Sequence, residues 1–214
     1  MIDVGAHYGE SLKRFAANGW QVHAFEPDPE NLHILQQNVK KLDNVIIDTR
    51  AVTETSEQSL QLYNSSESSG ISSLIAFHES HKSCTKVKSI CLKDYCQKQS
   101  IDKIEFLKID TEGYDLFVLK GLNWEIPPRI IVCEFEDAKT ECLSYNFHDL
   151  AEYLCQQGYH LLISEWHPIK SYGTEHKWSC FKNYPCELDD KKAWGNIIAV
   201  RQETDIQYFK GFNI

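Results

Sequence analysis

The chain has 214 residues, 42% of them hydrophobic and 25% charged, with a formal net charge of −9. That length and composition suit one globular α/β domain with a sizeable core. They argue against nucleic acid as the main partner, which would need a basic face, and against a membrane span, because no apolar run is long enough.

The elements alternate. A short first strand runs through Val4 into a glycine turn, and residues 10–18 read as a helix with Leu12, Phe15 and Ala16 on one face and Gly19 as its stop. Residues 21–25 form a strand. Asp28 then caps a second helix with Pro29 at its first position and Leu32, Ile34, Leu35 and Val39 inside. A third strand spans 44–49, where Val45, Ile46 and Ile47 make a continuous apolar run. Residues 59–63 and 86–92 alternate as added strands around a Ser/Gly-rich loop at 64–73, and 93–99 is a short helix. Buried strands follow at 105–110 and 129–135, with a helix at 114–122 between them. An amphipathic helix at 147–157 stops at Gly158, a strand spans 159–164, and a final strand spans 194–201. The pattern predicts a doubly wound, mostly parallel sheet. Residues 165–193, rich in Trp, His, Tyr and Pro, read as an irregular lid or substrate wall.

The eight cysteines contain no Cys-x-x-Cys pair, and their spacing fits no zinc site. Cys133 and Cys155 fall in apolar patterns and read as buried thiols. Cys180 and Cys186 flank a loop and are expected to stay reduced, in keeping with a cytoplasmic protein without a signal peptide. Only Met1 and Ile2 precede Asp3, a short start for a central strand. This points to a longer native chain from which the single domain 1–214 derives.

The first 27 residues carry the strongest chemical signal. Strand, glycine turn, helix, second strand and an acid suit a nucleoside cofactor held at the carboxyl edge of a parallel sheet. Glu26 lies 26 − 5 = 21 residues after Gly5, near the ~20 expected for a carboxylate that accepts ribose hydroxyls. A dinucleotide fingerprint, counted from Gly5, would need glycine where His7 and Glu10 stand. A ring and a carboxylate there oppose a pyrophosphate, which makes a nicotinamide oxidoreductase the weaker reading. S-adenosylmethionine carries no phosphate and tolerates both.

Four pieces stand in order: Ile2-Asp-Val-Gly-Ala-His-Tyr-Gly9, Ala24-Phe-Glu-Pro27, Ser72-Ser-Leu74, and Phe106-Leu-Lys-Ile-Asp-Thr-Glu-Gly113 with Val118-Leu-Lys-Gly121. Together they resemble the FkbM family of S-adenosylmethionine-dependent methyltransferases over roughly residues 2–136. The resemblance implies a Rossmann-like class I methyltransferase sheet of seven strands with an antiparallel last strand. It also implies methyl transfer to a hydroxyl, commonly of a sugar, glycan or related natural product.

Roles follow residue by residue. Asp3 orders the turn or takes the cofactor's amino group, and Gly5, Ala6, His7, Tyr8 and Gly9 line its methionine portion. Glu26 holds the ribose diol through charge-assisted hydrogen bonds. Pro27 and Ala51 frame the adenine, with Arg50 either nearby or a solvated surface charge. Ser72 and Ser73 approach from the neighbouring loop. Asp110 sits beside the transferring methyl, and with Glu112, Glu134 and Glu136 makes an acidic set at two strand ends. That set reads as a general base with neighbours that raise its pKa, magnesium being the less favoured alternative. Glu112 is read as a cap for the next helix, and Lys108 as a partner for one of the carboxylates. His176, with His167, Trp166 and Trp178, belongs to the aromatic stretch that would form the acceptor wall; His176 is the second candidate base. The competing reading is a non-catalytic cofactor- or glycan-binding module of a larger glycan-modifying protein.

Overall fold

The computed structural model describes residues 1–172 and 174–210. The chain runs β1 (Ile2–Val4), α1 (Lys13–Ala17), β2 (Val22–Phe25), α2 (Pro29–Val39), β3 (Val45–Asp48), β4 (Ala51–Val52), β5 (Ser59–Ser65), β6 (His81–Ile90) and α3 (Leu92–Lys98). It continues through β7 (Phe106–Ile109), α4 (Asp115–Lys120), β8 (Ile130–Glu136), α5 (Asp137–Thr140), α6 (Phe147–Gln156), β9 (His160–Trp166), β10 (Trp178–Asn183), β11 (Trp194–Val200) and α7 (Ile206–Lys210).

The main sheet has eight strands in the order β10-β9-β11-β8-β7-β1-β2-β3. Strands β3, β2, β1, β7 and β8 are parallel. The last strand, β11, is antiparallel to both its neighbours, β8 and β9. From β1 the chain moves outward to β2 and β3, then returns to β7 on the other side of β1, which makes the β1/β7 boundary the switch point of the sheet. Register decides what meets there. Val4 pairs with both Phe25 and Ile109, and Ile109 pairs with Cys133. The next residue on each strand path (Gly5, Glu26, Asp110 and Glu134) therefore arrives at the same carboxyl edge.

Both faces of the sheet are covered. On one, Leu107, Ile109, Ile131 and Cys133 pack with Leu116, Val118 and Leu119 of α4 and Leu150, Ala151 and Leu154 of α6. On the other, Val22 and Ala24 meet Leu12, Ala16 and, from α2, Leu35 and Val39. Asp28 caps α2 by accepting from the Glu30 and Asn31 amides. The Asn146–Asp149 capping box starts α6. A second sheet, β4-β6-β5, stands beside the main one and carries the Ser/Gly-rich loop.

Several expectations need correction. The first helix begins only at Lys13, because the turn that brings the Gly9 amide to the Ala6 carbonyl, and Gly9 itself at φ +82°, consume the preceding residues. The apolar run of β3 is not buried throughout: β3 is an edge strand, and Ile46 is 39% exposed while Val45 and Ile47 pack inward. The sheet has eight strands because part of the stretch read as irregular forms β10, a hairpin partner of β9 whose Phe181 packs on the Leu162 and Ile198 cluster. Gly173 of that stretch lies outside the described residues. Cys133 is buried, but Cys155 is exposed, since α6 turns Ala151 and Leu154 to the sheet instead.

Candidate functional site

A cleft of about 310 Å³ opens over the carboxyl edge of β1, β2, β7 and β8, within the size range of small-molecule sites. Its floor depends on Gly5. The residue adopts φ +77°, and an added Cβ would lie 1.8 Å from the Asp110 carbonyl oxygen. No side chain fits that crossing at the switch point. The Gly5 and Ala6 amides both donate to the Phe25 carbonyl, at 3.0 and 2.9 Å. This bends the chain so that His7, at φ +49°, aims its amide at Glu26 Oε2, 2.7 Å away. The Asp28 amide donates to Glu26 Oε1 at 2.9 Å. Glu26 is thus fixed by one backbone donor on each oxygen and is only 4% exposed. Burial pushes its pKa up to about 7, against the opposing pull of the two amides. Each oxygen keeps accepting capacity for a ligand hydroxyl.

The loop between β5 and β6 roofs this half of the cleft. Ser69 Oγ accepts from the Tyr8 hydroxyl at 2.9 Å and lies 3.0 Å from His7 Nε2, while Asn31 Nδ2 donates to the Ser69 carbonyl at 3.0 Å. The Ser72 hydroxyl donates to Asp28 Oδ2, and the Ser73 hydroxyl to the Glu112 carbonyl. Gly5, His7, Glu26, Pro27, Ala51, Ser73 and Asp110 all line the cleft. Asp3, Ala6, Tyr8 and Gly9 stand behind it. Asp3 is fully buried, accepts from Ser11 Oγ at 2.6 Å and faces Lys108 at 3.4 Å, so it braces the turn from beneath. Arg50 is not a solvated charge: it forms a two-pronged pair with Asp48 at the cleft wall.

The opposite half is dominated by charge. Lys108 Nζ reaches Asp110 Oδ2 at 3.1 Å and the Gly5 carbonyl at 3.3 Å. Burial raises the Asp110 pKa, but Lys108 more than offsets this and holds it below the usual carboxylate range. Glu112 does not cap α4. Its backbone is left-handed at φ +55°, which turns the side chain toward Lys139, and Asp115 supports the start of that helix by accepting from the Thr111 hydroxyl at 2.7 Å. Lys139, from α5, is 2% exposed and faces three carboxylates: Glu112 at 2.5 Å, Glu134 at 2.9 Å and Glu136 at 2.9 Å. One ammonium cannot neutralise three buried acids. Burial pushes Glu112 up to about 7 and Glu134 well above its ordinary value, with Lys139 opposing both.

Sequence reasoning missed Lys139. The spacing of Glu136 and Lys139 on one helical turn was its only local signal, because Glu112 and Glu134 come from other elements. Asn31 and Ser69 were missed for the same reason. Of the long aromatic stretch, His176, Ile169 and Tyr172 reach the cleft together with Trp194 of β11. His176 stands edge-on to Trp194, with ring centres 5.1 Å apart. Trp166 packs behind Trp194, Trp178 packs on Phe181, and His167 serves the hairpin backbone.

The model of the methyltransferase FkbM domain matches residues 3–161, which include every strand that builds the cleft floor. The chain belongs to the FkbM methyltransferase family. No curated protein matches. Two solved structures are similar at 14% identity and a TM-score of 0.45: precorrin-6y C5,15-methyltransferase from Geobacter metallireducens and precorrin-8w decarboxylase from Methanobacterium thermoautotrophicum. The first comparison covers 94% of this chain and 78% of the other, the second 93% and 79%. Membership implies S-adenosylmethionine as methyl donor, and the FkbM site fits it in one respect: the buried Glu26 carboxyl lines the cleft with accepting capacity left for a diol. Among the described residues, no helix is long and apolar enough to cross a membrane.

Proposed function

We propose that this FkbM domain transfers a methyl group from S-adenosylmethionine to a hydroxyl of a glycan or related small molecule. The observation that carries the reading is the convergence of Glu26, Asp110 and Glu134 on one cleft through strand register. S-adenosylmethionine, when bound, supplies an electrophilic methyl on a sulfonium. Glu26 receives the ribose hydroxyls, and Pro27 and Ala51 frame the adenine. Asp110, kept ionised by Lys108 and half-exposed to the cleft, accepts a hydrogen bond from the acceptor hydroxyl and aligns its oxygen for in-line displacement. On methyl transfer the hydroxyl proton would pass along that hydrogen bond to Asp110 and from there to Glu134, whose carboxylate oxygen lies within 4.8 Å. Tyr172, His176 and Trp194 offer a ring-lined wall for the apolar face of a sugar.

Calorimetric titration with S-adenosylhomocysteine tests the donor half, with micromolar or tighter binding expected. Methyl transfer from radiolabelled S-adenosylmethionine to a panel of neutral sugars tests the acceptor half. Failure to bind S-adenosylhomocysteine would overturn the assignment of the cleft.

A further inference from the structure

The same acidic set that performs this chemistry raises the question of a metal. Asp110, Glu112 and Glu134 each bring one oxygen within 4.8 Å of the others, a spacing that suits a hard divalent cation. The cluster already has a cation. Lys139 Nζ contacts Glu112 Oε2 and Glu134 Oε2, which belong to two of the three residues a metal would need, and also Glu136 Oε2. Its position is over-determined. The side chain is buried, it springs from the short helix directly after β8, and its ammonium faces the rings of Phe77 and Tyr172 at 5.6 and 5.8 Å. A divalent ion placed among these oxygens would have to share them with a positive charge at hydrogen-bonding range.

We propose that Lys139 is the resident cation of this site, built into the chain where a divalent metal would otherwise sit, and that it positions Glu112 and Glu134 while excluding metal. The ammonium donates a hydrogen bond to Glu134 Oε2 and lies within ion-pair distance of Glu112 and Glu136, so it acts through the acids it holds. The proposal rests on the methyl-transfer reading only for what those acids do; the charge geometry stands without it.

Manganese binding followed by electron paramagnetic resonance tests it. Wild-type protein is expected to show no saturable Mn²⁺ binding that depends on Glu112. Lys139→Met removes the ammonium and keeps an unbranched stem of similar length. Because that variant leaves three buried acids uncompensated, Glu136→Gln/Lys139→Met is made beside it, which keeps the charge balance and spares Asp110, Glu112 and Glu134. Either variant, shown to be folded by circular dichroism, is expected to gain one Mn²⁺ site, at least about tenfold tighter than any wild-type binding, and to lose it when Glu112→Gln is added. Wild-type Mn²⁺ binding that disappears in Glu112→Gln would overturn the proposal, as would folded variants that gain no site. Titration of the same proteins with S-adenosylhomocysteine separates this outcome from failure of the methyltransferase reading.

Discussion

The wall of the cleft at β1 and β2 is held mainly by backbone, and the wall at β7 and β8 mainly by charged side chains. On the first, Gly5, Ala6, His7 and Asp28 spend their amides on Phe25 and Glu26, partners less than about one βαβ unit away. On the second, Lys108 and Lys139 gather acids from β1, β7, β8 and the turns that follow them. Backbone geometry tolerates almost no change in shape and little in residue type. Charge networks tolerate shape change but depend on balance, because any member removed leaves its buried partner unpaired.

The sharpest way to break the charged wall is Lys139→Met. Stability is expected to fall by about 3–5 kcal/mol in urea denaturation, the cost of a buried charge network that has lost its partner. The loss should be smaller at pH 5 than at pH 8, since the freed acids can then protonate. A loss independent of pH would mean that packing, not charge, holds this wall. The backbone wall breaks at Gly5→Ala. The new Cβ meets a carbonyl oxygen that no side-chain movement can relieve, at a positive φ, so a loss of about 2–5 kcal/mol is expected by the same measurement.

The wild type carries a pH signature of both walls. Glu26 and Glu112 rise to about 7 and Asp115 to about 6, each chiefly through burial. Between their unfolded values and these, the folded protein holds more protons than the unfolded chain, so stability falls as pH rises through the window from about 4.5 to 7. Glu26 alone, moved from 4.5 to about 7, accounts for roughly 3 kcal/mol. Unfolding free energies measured at pH 5 and pH 8 without ligand check this, and a flat or rising profile would contradict it. Glu26→Ala is next, with S-adenosylhomocysteine binding weakened by about 1.5–3 kcal/mol in calorimetry. An unchanged affinity would remove Glu26 from the proposed ribose site. The smallest effect is expected from Ser69→Ala, which unties the roof from His7 and Tyr8. A loss of about 0.5–1.5 kcal/mol of stability is expected, with faster amide exchange in residues 66–74.

How much was legible in advance follows the same division. The glycine turn, the acid after β2, the Asp28 cap and the Lys108–Asp110 partnership were readable because each depends on neighbours in sequence or on one strand's two-residue period. The late start of α1 was not, because turn geometry around Gly9 overrode an apolar pattern that suits a helix. Strand β10 was hidden because its pairing energy comes from β9 and from the cluster beneath Phe181. The Glu112 cap was misplaced because one left-handed residue redirects a side chain without leaving a mark in the pattern.

The sequence by itself determined the fold class and the family, because these rest on local backbone geometry, periodic burial and a fixed spacing along the chain. Only the tertiary structure decided that Asp3 lies beneath the turn, that Ser69 and Asn31 roof the cleft, and that Lys139 sits among Glu112, Glu134 and Glu136. Those facts depend on strand register and on the return of distant segments to one edge, where burial turns isolated charges into a single coupled network.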